Sequence, residues 1–371
     1  MRKEETKMAF VLQNYTAPDF TRNELQNAPN ALFVPAPKDG VAPANYHAMS
    51  IFPEYFKVQG GWLLAEESRM DCVAVLENGR IAVREFRLLK AGDLVAVGRT
   101  EDGSEGIYVH PHGFDEQHRQ GDVFAFRQSR SRETAFSKDY DELYDLLRYE
   151  REHGKVVWVM GPAFAFDYDA RNAFAQLIEA GYVDAVLAGN ALATHDLEAA
   201  YLGTALGQDI YTQISQPNGH YNHLDVLNKV RRSGSIPKFI EDNHIDNGII
   251  YGCVKNHIPF VLTGSIRDDG PMPEVIGDSY QGQSAMRDMV RDATCVICLA
   301  TMLHTIATGN MTPSFRVMKD GTIRPVYLYT VDADEFVVNK LMDRGSLSAT
   351  TIVTNVQDFI TIVAKGLGVM K

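Results

Sequence analysis

The chain has 371 residues, 45 % of them apolar and 23 % charged, the composition of a globular protein with room for one large core or two moderate ones. Its formal charge of −12, with no Lys/Arg-rich block, disfavours nucleic acid and anionic membrane as main partners. No apolar run approaches the roughly 20 residues of a membrane span, MRKEETKMAF lacks the apolar stretch of a signal peptide, and four cysteines make no disulfide framework, so a reducing cytoplasm is expected.

Residues 1–45 carry turn-forming pairs such as Pro18-Asp19 and the Pro-, Asn- and Ala-rich stretch NAPNALFVPAPKDGVAPANY, and read as an irregular leader. Over 46–128 the pattern changes to short β-like runs, YFKV, CVAVLE, RIAVREF, DLVAVG and EGIYVH, separated by turn residues. Asn78-Gly79 between two of them is a strong hairpin signal, and a small antiparallel β domain is expected. His110, His112 and His118 follow in YVHPHGFDEQH. They could ligate a metal, but the proline between the first two and the lack of a nearby cysteine favour a solvated loop, so no metal site is expected. SRSRET at 129–134 is a polar junction. Leu143, Leu146 and Leu147 then fall at helical spacing between Asp139 and His153, predicting a helix that bridges two domains.

Over 129–371 strand and helix alternate. VVWVM (Val156–Met160) ends at Gly161-Pro162-Ala163 and leads to a helix through Ala173–Ala180. VDAVL (Val183–Leu187) ends at Ala188-Gly189-Asn190-Ala191 and leads to a helix from about Thr194 to Leu202. Helices from about Leu224 and through Ile249–Lys255 follow, then strand-like runs at Phe260–Leu262, Cys295–Leu299, Val326–Tyr329 and Thr351–Val353. Repeated β-α units with continuous apolar strands predict an α/β fold: a mostly parallel sheet with helices on both faces, preceded by the small β domain. Cys295 and Cys298 form a C-x-x-C inside ATCVICLAT, with no second pair and no thioredoxin-like flanks, and read as buried core thiols.

Open α/β sheets bind ligands beyond the C-terminal ends of their strands, so the residues expected there are the candidates. The densest group is VLTGSIRDDGPMP, where Gly264-Ser265 precedes Arg267, Asp268 and Asp269, and Gly270-Pro271 stops any regular element. An exposed, salt-bridged loop is the alternative reading. Neither G-x-G-x-x-G nor G-x-x-x-x-G-K-[ST] is present. Instead Gly161, Gly189 and Gly264 each follow a strand, where a missing side chain lets backbone N–H groups approach a phosphate. Together they suggest a dinucleotide laid over several strand ends. Asp332, after VYLYTV, could accept hydrogen bonds from ribose hydroxyls or could cap a helix expected over Glu335–Met342.

Five longer motifs carry a resemblance: GNALATHDLEAAYLGTALG, NGHYNHLDVLNKVRRSGSI, GIIYGCVKNHIPFVLTGSIRDDGPMP, TMLHTIATGNMTP and VNKLMDRGS. From about Phe33 to the C-terminus the chain resembles the α/β-type (archaeal-type) ornithine cyclodeaminase family, also labelled lysine-oxoglutarate reductase/saccharopine dehydrogenase-like (LOR/SDH). The resemblance implies an NAD-binding domain of the deoxyhypusine-synthase-like type, a homodimer or homotetramer, and conversion of ornithine to proline and ammonia. By matching motif it implies NAD contacts at Asn190, Ala191, Asp269, Thr301, Met302, Leu303, His304, Asp332, Asn355 and Val356. Gly161-Pro162 and Gly264-Ser265 are added from the strand-end argument. The chain departs from the family at Phe164-Ala165-Phe166-Asp167-Tyr168-Asp169, where a glycine-rich segment is usual, and at Asn218-Gly219-His220-Tyr221-Asn222-His223-Leu224, where GGHRHHL is usual. Asn355 also stands where an Asp is common. The first two changes fall where the substrate pocket is expected.

In the implied reaction hydride leaves the substrate α-carbon for NAD⁺ and returns after ring closure, so no net oxidation occurs. Such chemistry needs one neutral amine and a group that moves protons. Asp268 or Asp269 could take the proton from an ammonium, and Arg267 could hold the carboxylate bidentately. His220, His223 and Lys255 are further candidates for proton transfer; Cys253 either lies in the pocket or is a buried helix thiol. The rival readings are an NAD-dependent amino-acid or opine-type dehydrogenase and a non-catalytic NAD-binding sensor.

Overall fold

Alternating β-branched and aromatic side chains build the first part of the chain into sheets. The computed structural model describes residues 10–114, 137–268, 270–334 and 346–370. A helical turn, α1 (Asn23–Gln26), precedes β1 (Leu32–Pro35), β2 (Glu54–Val58), β3 (Gly61–Leu64), β4 (Val73–Glu77), β5 (Arg80–Arg84), β6 (Leu94–Val97) and β7 (Ile107–Val109). They make two antiparallel sheets, in the orders β1-β6-β4-β5 and β3-β2-β7, around Phe56, Ala74, Ile81, Ala96 and Ile107. At the Asn78-Gly79 turn both residues take positive φ, 51° and 76°, and Glu77 pairs with Arg80 across it. The leader is corrected in one respect: Leu32–Pro35 is a strand that pairs with β6. Three apolar residues before a proline are too few to show periodicity, yet enough to cover a sheet edge.

The second region starts with α2 (Ser137–His153). Its Leu143, Leu146 and Leu147 are buried, and Tyr144 Oη donates to Ile362 O at 3.4 Å. The helix therefore packs into the core of this second region. Then come β8 (Val156–Met160), α3 (Tyr168–Glu179), β9 (Ala185–Gly189), α4 (Asn190–Leu202), the small hairpin β10 (Thr204–Ala205) and β11 (Gln208–Asp209), α5 (Asn222–Ser233), α6 (Ile236–Asp242) and α7 (Ile249–Lys255). They are followed by β12 (Phe260–Thr263), α8 (Ser279–Val290), β13 (Cys295–Leu299), α9 (Met302–Met311), the hairpin β14 (Phe315–Val317) and β15 (Ile323–Pro325), β16 (Tyr327–Asp332), β17 (Ser348–Val353) and α10 (Val356–Gly366).

Six of these strands form one parallel sheet in the order β12-β9-β8-β13-β16-β17. The chain steps outward from β8 to β12, crosses back to the other side of β8 at β13, and steps outward again. This is the strand order of dinucleotide-binding Rossmann folds. Because side chains alternate between faces and both faces are covered, the central strands are apolar throughout. Val156, Trp158, Met160, Cys295 and Ile297 face the larger core beneath α2–α7 and α10, whereas Val157, Val159, Val296 and Cys298 face the smaller core beneath α8 and α9. Cys295 and Cys298 thus point to opposite sides of one strand.

At the lower edge of the sheet, fully buried Glu150 of α2 pairs with Arg324 and accepts from Thr294 Oγ1 at 2.5 Å. The β region sits on the α8 side, where Arg287 donates to Glu67 and Glu85, each at 3.2 Å. Among the described residues no helix is long and apolar enough to cross a membrane. His110 Nε2 meets Thr16 O at 2.8 Å; His118, the 129–134 junction and the helix expected over Glu335–Met342 lie outside the described residues.

Candidate cofactor and active site

Where successive strands step away in opposite directions, an open parallel sheet leaves a crevice, here between the C-terminal ends of β8 and β13. Gly161 follows β8 and its N–H donates to Leu299 O at 2.9 Å. A Cβ at Gly161 would lie 1.9 Å from Ala300 O, so only a glycine lets the two chain segments come this close. Ala300, just past β13, takes φ +49°, a left-handed conformation that costs a non-glycine residue about 1–3 kcal/mol.

Each helix begins with unpaired N–H groups. At the starts of α3, α8 and α10 these are met by the side chains of Asp167, Asp278 and Asn355. The helices that leave β9 and β13 differ: α4 and α9 have Gly189 and Thr301 as N-caps and no side-chain cap. Free donors and the positive ends of two helix dipoles therefore converge on the strand ends, an arrangement suited to phosphate.

His304 ties this edge together. Its Nε2 lies 3.0 Å from Thr263 Oγ1 at the end of β12, and its Cε1 would lie 3.1 Å from a Cβ on Gly189. Burial lowers its pKa, against an opposing effect of Asp268, so the ring is neutral at pH 7. Beyond β12 the chain makes a tight turn: Ser265 N donates to Asp268 Oδ2 at 2.7 Å, and Arg267 N to Ser265 Oγ at 3.2 Å. Arg267 is exposed. The loop then passes α4, where Met272 N donates to Asn190 Oδ1 at 3.1 Å.

The strand ends thus bring Gly161, Pro162, Asn190, Ala191, Gly264, Ser265, Arg267, Asp268, Thr301, Met302, Leu303 and His304 to one edge. Asp332 and Asn355-Val356 stand at the ends of the outer strands on the same edge. There Asp332 accepts from Asp334 N at 2.9 Å, and Asn355 Oδ1 accepts from Gln357 N at 2.8 Å. Asp269 lies outside the described residues.

Lys255 stands apart from the strand ends, and Cys253 is the buried helix thiol of its two readings. α7 runs into β12 and so ends at the opposite edge of the sheet, where Lys255 Nζ donates to Glu179 Oε1 at 3.1 Å. Cys253 is fully buried in the larger core, and burial pushes its thiol pKa up. His220 is exposed and packs on the Tyr221 ring, away from the core. His223 is half-buried, with Nδ1 enclosed and unpartnered among the described residues.

The sequence reading passed over Thr263, Ala300 and, above all, His195 and Glu198. Glu198 is fully buried on α4 and accepts from Thr204 Oγ1 (2.8 Å), Leu206 N (3.0 Å) and Gly207 N (2.9 Å), with His195 Nδ1 at 3.3 Å. Burial raises its pKa, but the hydrogen bonds from His195, Gly207, Thr204 and Leu206 outweigh that and hold the carboxyl below its usual value. The available signal was the spacing of His and Glu in THDLE, which puts both on one helix face.

Residues 143–363 match the family described as "Arginine dihydrolase ArgZ-like, C-terminal, Rossmann fold", and residues 53–135 match its "C-terminal, first region". The ornithine cyclodeaminase of Methanocaldococcus jannaschii is 39 % identical over 342 residues, which take in 90 % of this chain and 77 % of that protein. Among solved structures, a conserved LOR/SDH protein of Methanococcus maripaludis S2 superposes with a TM-score of 0.83 at 36 % identity, covering 92 % of this chain and 98 % of that one. AgrE in ternary complex with ornithine and NAD⁺ gives a TM-score of 0.58 at 34 % identity, across 92 % of this chain but 46 % of AgrE.

Proposed function

This chain belongs to the family of the ArgZ-like C-terminal region and the archaeal ornithine cyclodeaminases, and on that premise we propose that it is an NAD-dependent enzyme that releases ammonia from ornithine and closes the remaining carbon chain to proline. The observation that carries the reading is the crevice beside β8, with two helices, α4 and α9, opening onto its edge without side-chain caps. The residues present fit a dinucleotide. Gly161 keeps the crevice floor free of side chain, the helix N-termini offer N–H donors for the diphosphate, and the Asp332 carboxylate at the end of β16 suits a ribose without a 2′-phosphate. Asn190, Ala191, Gly264, Ser265, Thr301, Met302, Leu303 and His304 complete the proposed contacts.

Bound there, NAD would accept a hydride from the substrate α-carbon and later return it, so that it acts as a catalyst and is not consumed. Arg267 offers an exposed guanidinium that can hold the substrate carboxylate bidentately. Asp268 places a carboxylate near the end of β12, where it can attract the distal ammonium. Neutral His304 adds no positive charge to compete with that ammonium.

The test mixes the protein with NAD and a panel of diamino acids, following ammonia, proline and NADH absorbance together. Ammonia and proline without accumulated NADH are expected. Accumulating NADH would instead support a dehydrogenase, and NAD uptake with no turnover would support a sensor. Asp268→Asn is expected to abolish ammonia release while NAD still binds; full activity in that variant would remove Asp268 from the mechanism.

A further inference from the structure

Ring closure needs a group that takes a proton and gives it back, and besides the exposed-loop carboxylate of Asp268 one buried pair on α4 fits the task. His195 lies five residues into α4, about 7.5 Å along the axis from Asn190 at the end of β9. Its ring is 5.3 Å from Phe166, the last residue of the short segment that leaves β8 through Gly161 and Pro162, and 6.3 Å from His223. The imidazole is thus framed by the chain leaving two neighbouring central strands. It is 9 % exposed, and its Nε2 has no hydrogen-bond partner among the described residues.

Glu198 decides what that free nitrogen can do. Its carboxylate already accepts three other donors, two of them backbone N–H groups that can only donate. An anion so held accepts a hydrogen bond from the proton on His195 Nδ1, which in the neutral ring puts the lone pair on Nε2. A base with a fixed tautomer, backed by a buried carboxylate, is the arrangement general acid–base catalysis uses. His223 Nδ1, enclosed and unpartnered nearby, is a second nitrogen able to hold an amine in the same space.

We propose that His195 is the proton carrier for the amine exchange and that Glu198 is its positioning residue, an inference that rests on the reading above. Once the α-carbon is at the iminium level, Nε2 removes a proton from the distal ammonium. The freed amine lone pair forms the new C–N bond, leaving a carbon that bears both nitrogens. A second proton leaves the distal nitrogen and one proton is delivered to the α-nitrogen; the old C–N bond breaks, and ammonia departs with its bonding pair. The distal nitrogen has then lost two protons: one expels the ammonia and the other converts it to ammonium in solution.

Three measurements on the full chain test this. His195→Gln should lower kcat for ammonia release by about 10²–10⁴-fold while calorimetric NAD affinity stays as in the wild type. Added imidazole should restore part of the activity of His195→Ala. In the wild-type protein, nitrogen NMR of the His195 ring should show Nδ1 protonated and Nε2 bare, and Glu198→Gln should lose that preference and lower kcat with little change in KM. A His195→Gln enzyme with full kcat, or a wild-type ring protonated on Nε2, overturns the proposal even if the variants fold poorly. A wild-type protein that releases no ammonia from any diamino acid overturns the functional reading first, so the two failures are told apart.

Discussion

Replacing Gly161 by alanine adds one carbon where the two central strands run out. The backbone there, φ −84° and ψ 167°, suits alanine, so the effect is purely one of contact. The new Cβ would stand 1.9 Å from Ala300 O, about 1 Å inside any tolerable approach, and the obstacle is backbone rather than a side chain that can swing away. Overpacking of this kind costs about 1–3 kcal/mol, and the upper half of that range applies here. If the ends of β8 and β13 separate to relieve it, the crevice floor moves, and 2–3 kcal/mol corresponds to a roughly 30- to 160-fold loss of NAD affinity. If the sheet resists, the same energy appears in the denaturant midpoint. Calorimetric titration with NAD and urea unfolding, run on one preparation, separate the two. Gly61→Ala serves as control, since its nearest atom would be Val58 O at 3.8 Å. A Gly161→Ala protein that binds NAD and unfolds like the wild type would refute both the close approach and its place in the site.

Lys255→Ala should leave ammonia release and the melting temperature unchanged, because its ion pair with Glu179 is a surface contact far from the strand ends; a large loss of kcat would return Lys255 to the mechanism. Arg324→Met should cost about 3–5 kcal/mol in urea unfolding, since it strands the buried Glu150 carboxylate, and a near-neutral effect would show the pair to be solvated. His304 has a folded pKa below its usual value, so below about pH 6.5 the unfolded chain takes up the proton first. Stability should therefore fall with pH from about 6.5 down to the folded value, and His304→Gln should flatten that slope; an NMR titration placing the ring above 6.5 would contradict the burial argument.

How much of this could be read from the chain depended on where the physical constraint is local. Asn78-Gly79 was legible because a two-residue hairpin demands positive φ at both positions, and both have it. VVWVM and CVICL were legible because a strand covered on both faces has no polar side to interrupt it. α8 and α9 were not seen: SYQGQSAMRDMV and MLHTIATGNM carry glycine, threonine and polar residues that blur the helical period, and their shape is set by packing beneath the sheet. α4 was expected from Thr194 but starts at Asn190, since Gly189-Asn190 looks like a turn until the sheet shows a helix leaving the strand directly.

The site divides the same way. Glycines after strands were legible as strand ends, and the structure puts Gly161, Gly189 and Gly264 at one edge of the sheet. Lys255 stands five residues before β12, yet it lies at the opposite edge because α7 and β12 run in opposite directions, which the chain order alone does not show. His195 and Glu198 were overlooked because nothing in THDLE reveals that Thr204, Leu206 and Gly207 fold back to enclose the carboxylate.

The crossing from one side of β8 to the other also governs how the protein must be made. β8 is synthesised early, yet its neighbour β13 emerges only after α3–α8, β9 and β12 have left the ribosome. Until then one flank of VVWVM, five consecutive buried apolar residues in the finished protein, has no hydrogen-bonding partner and can pair with a strand of another nascent chain. Such long-range parallel pairing also closes slowly. Refolding should accordingly depend on protein concentration far more than unfolding does, and a chaperone that shields this edge should raise the yield of active enzyme without changing its final stability.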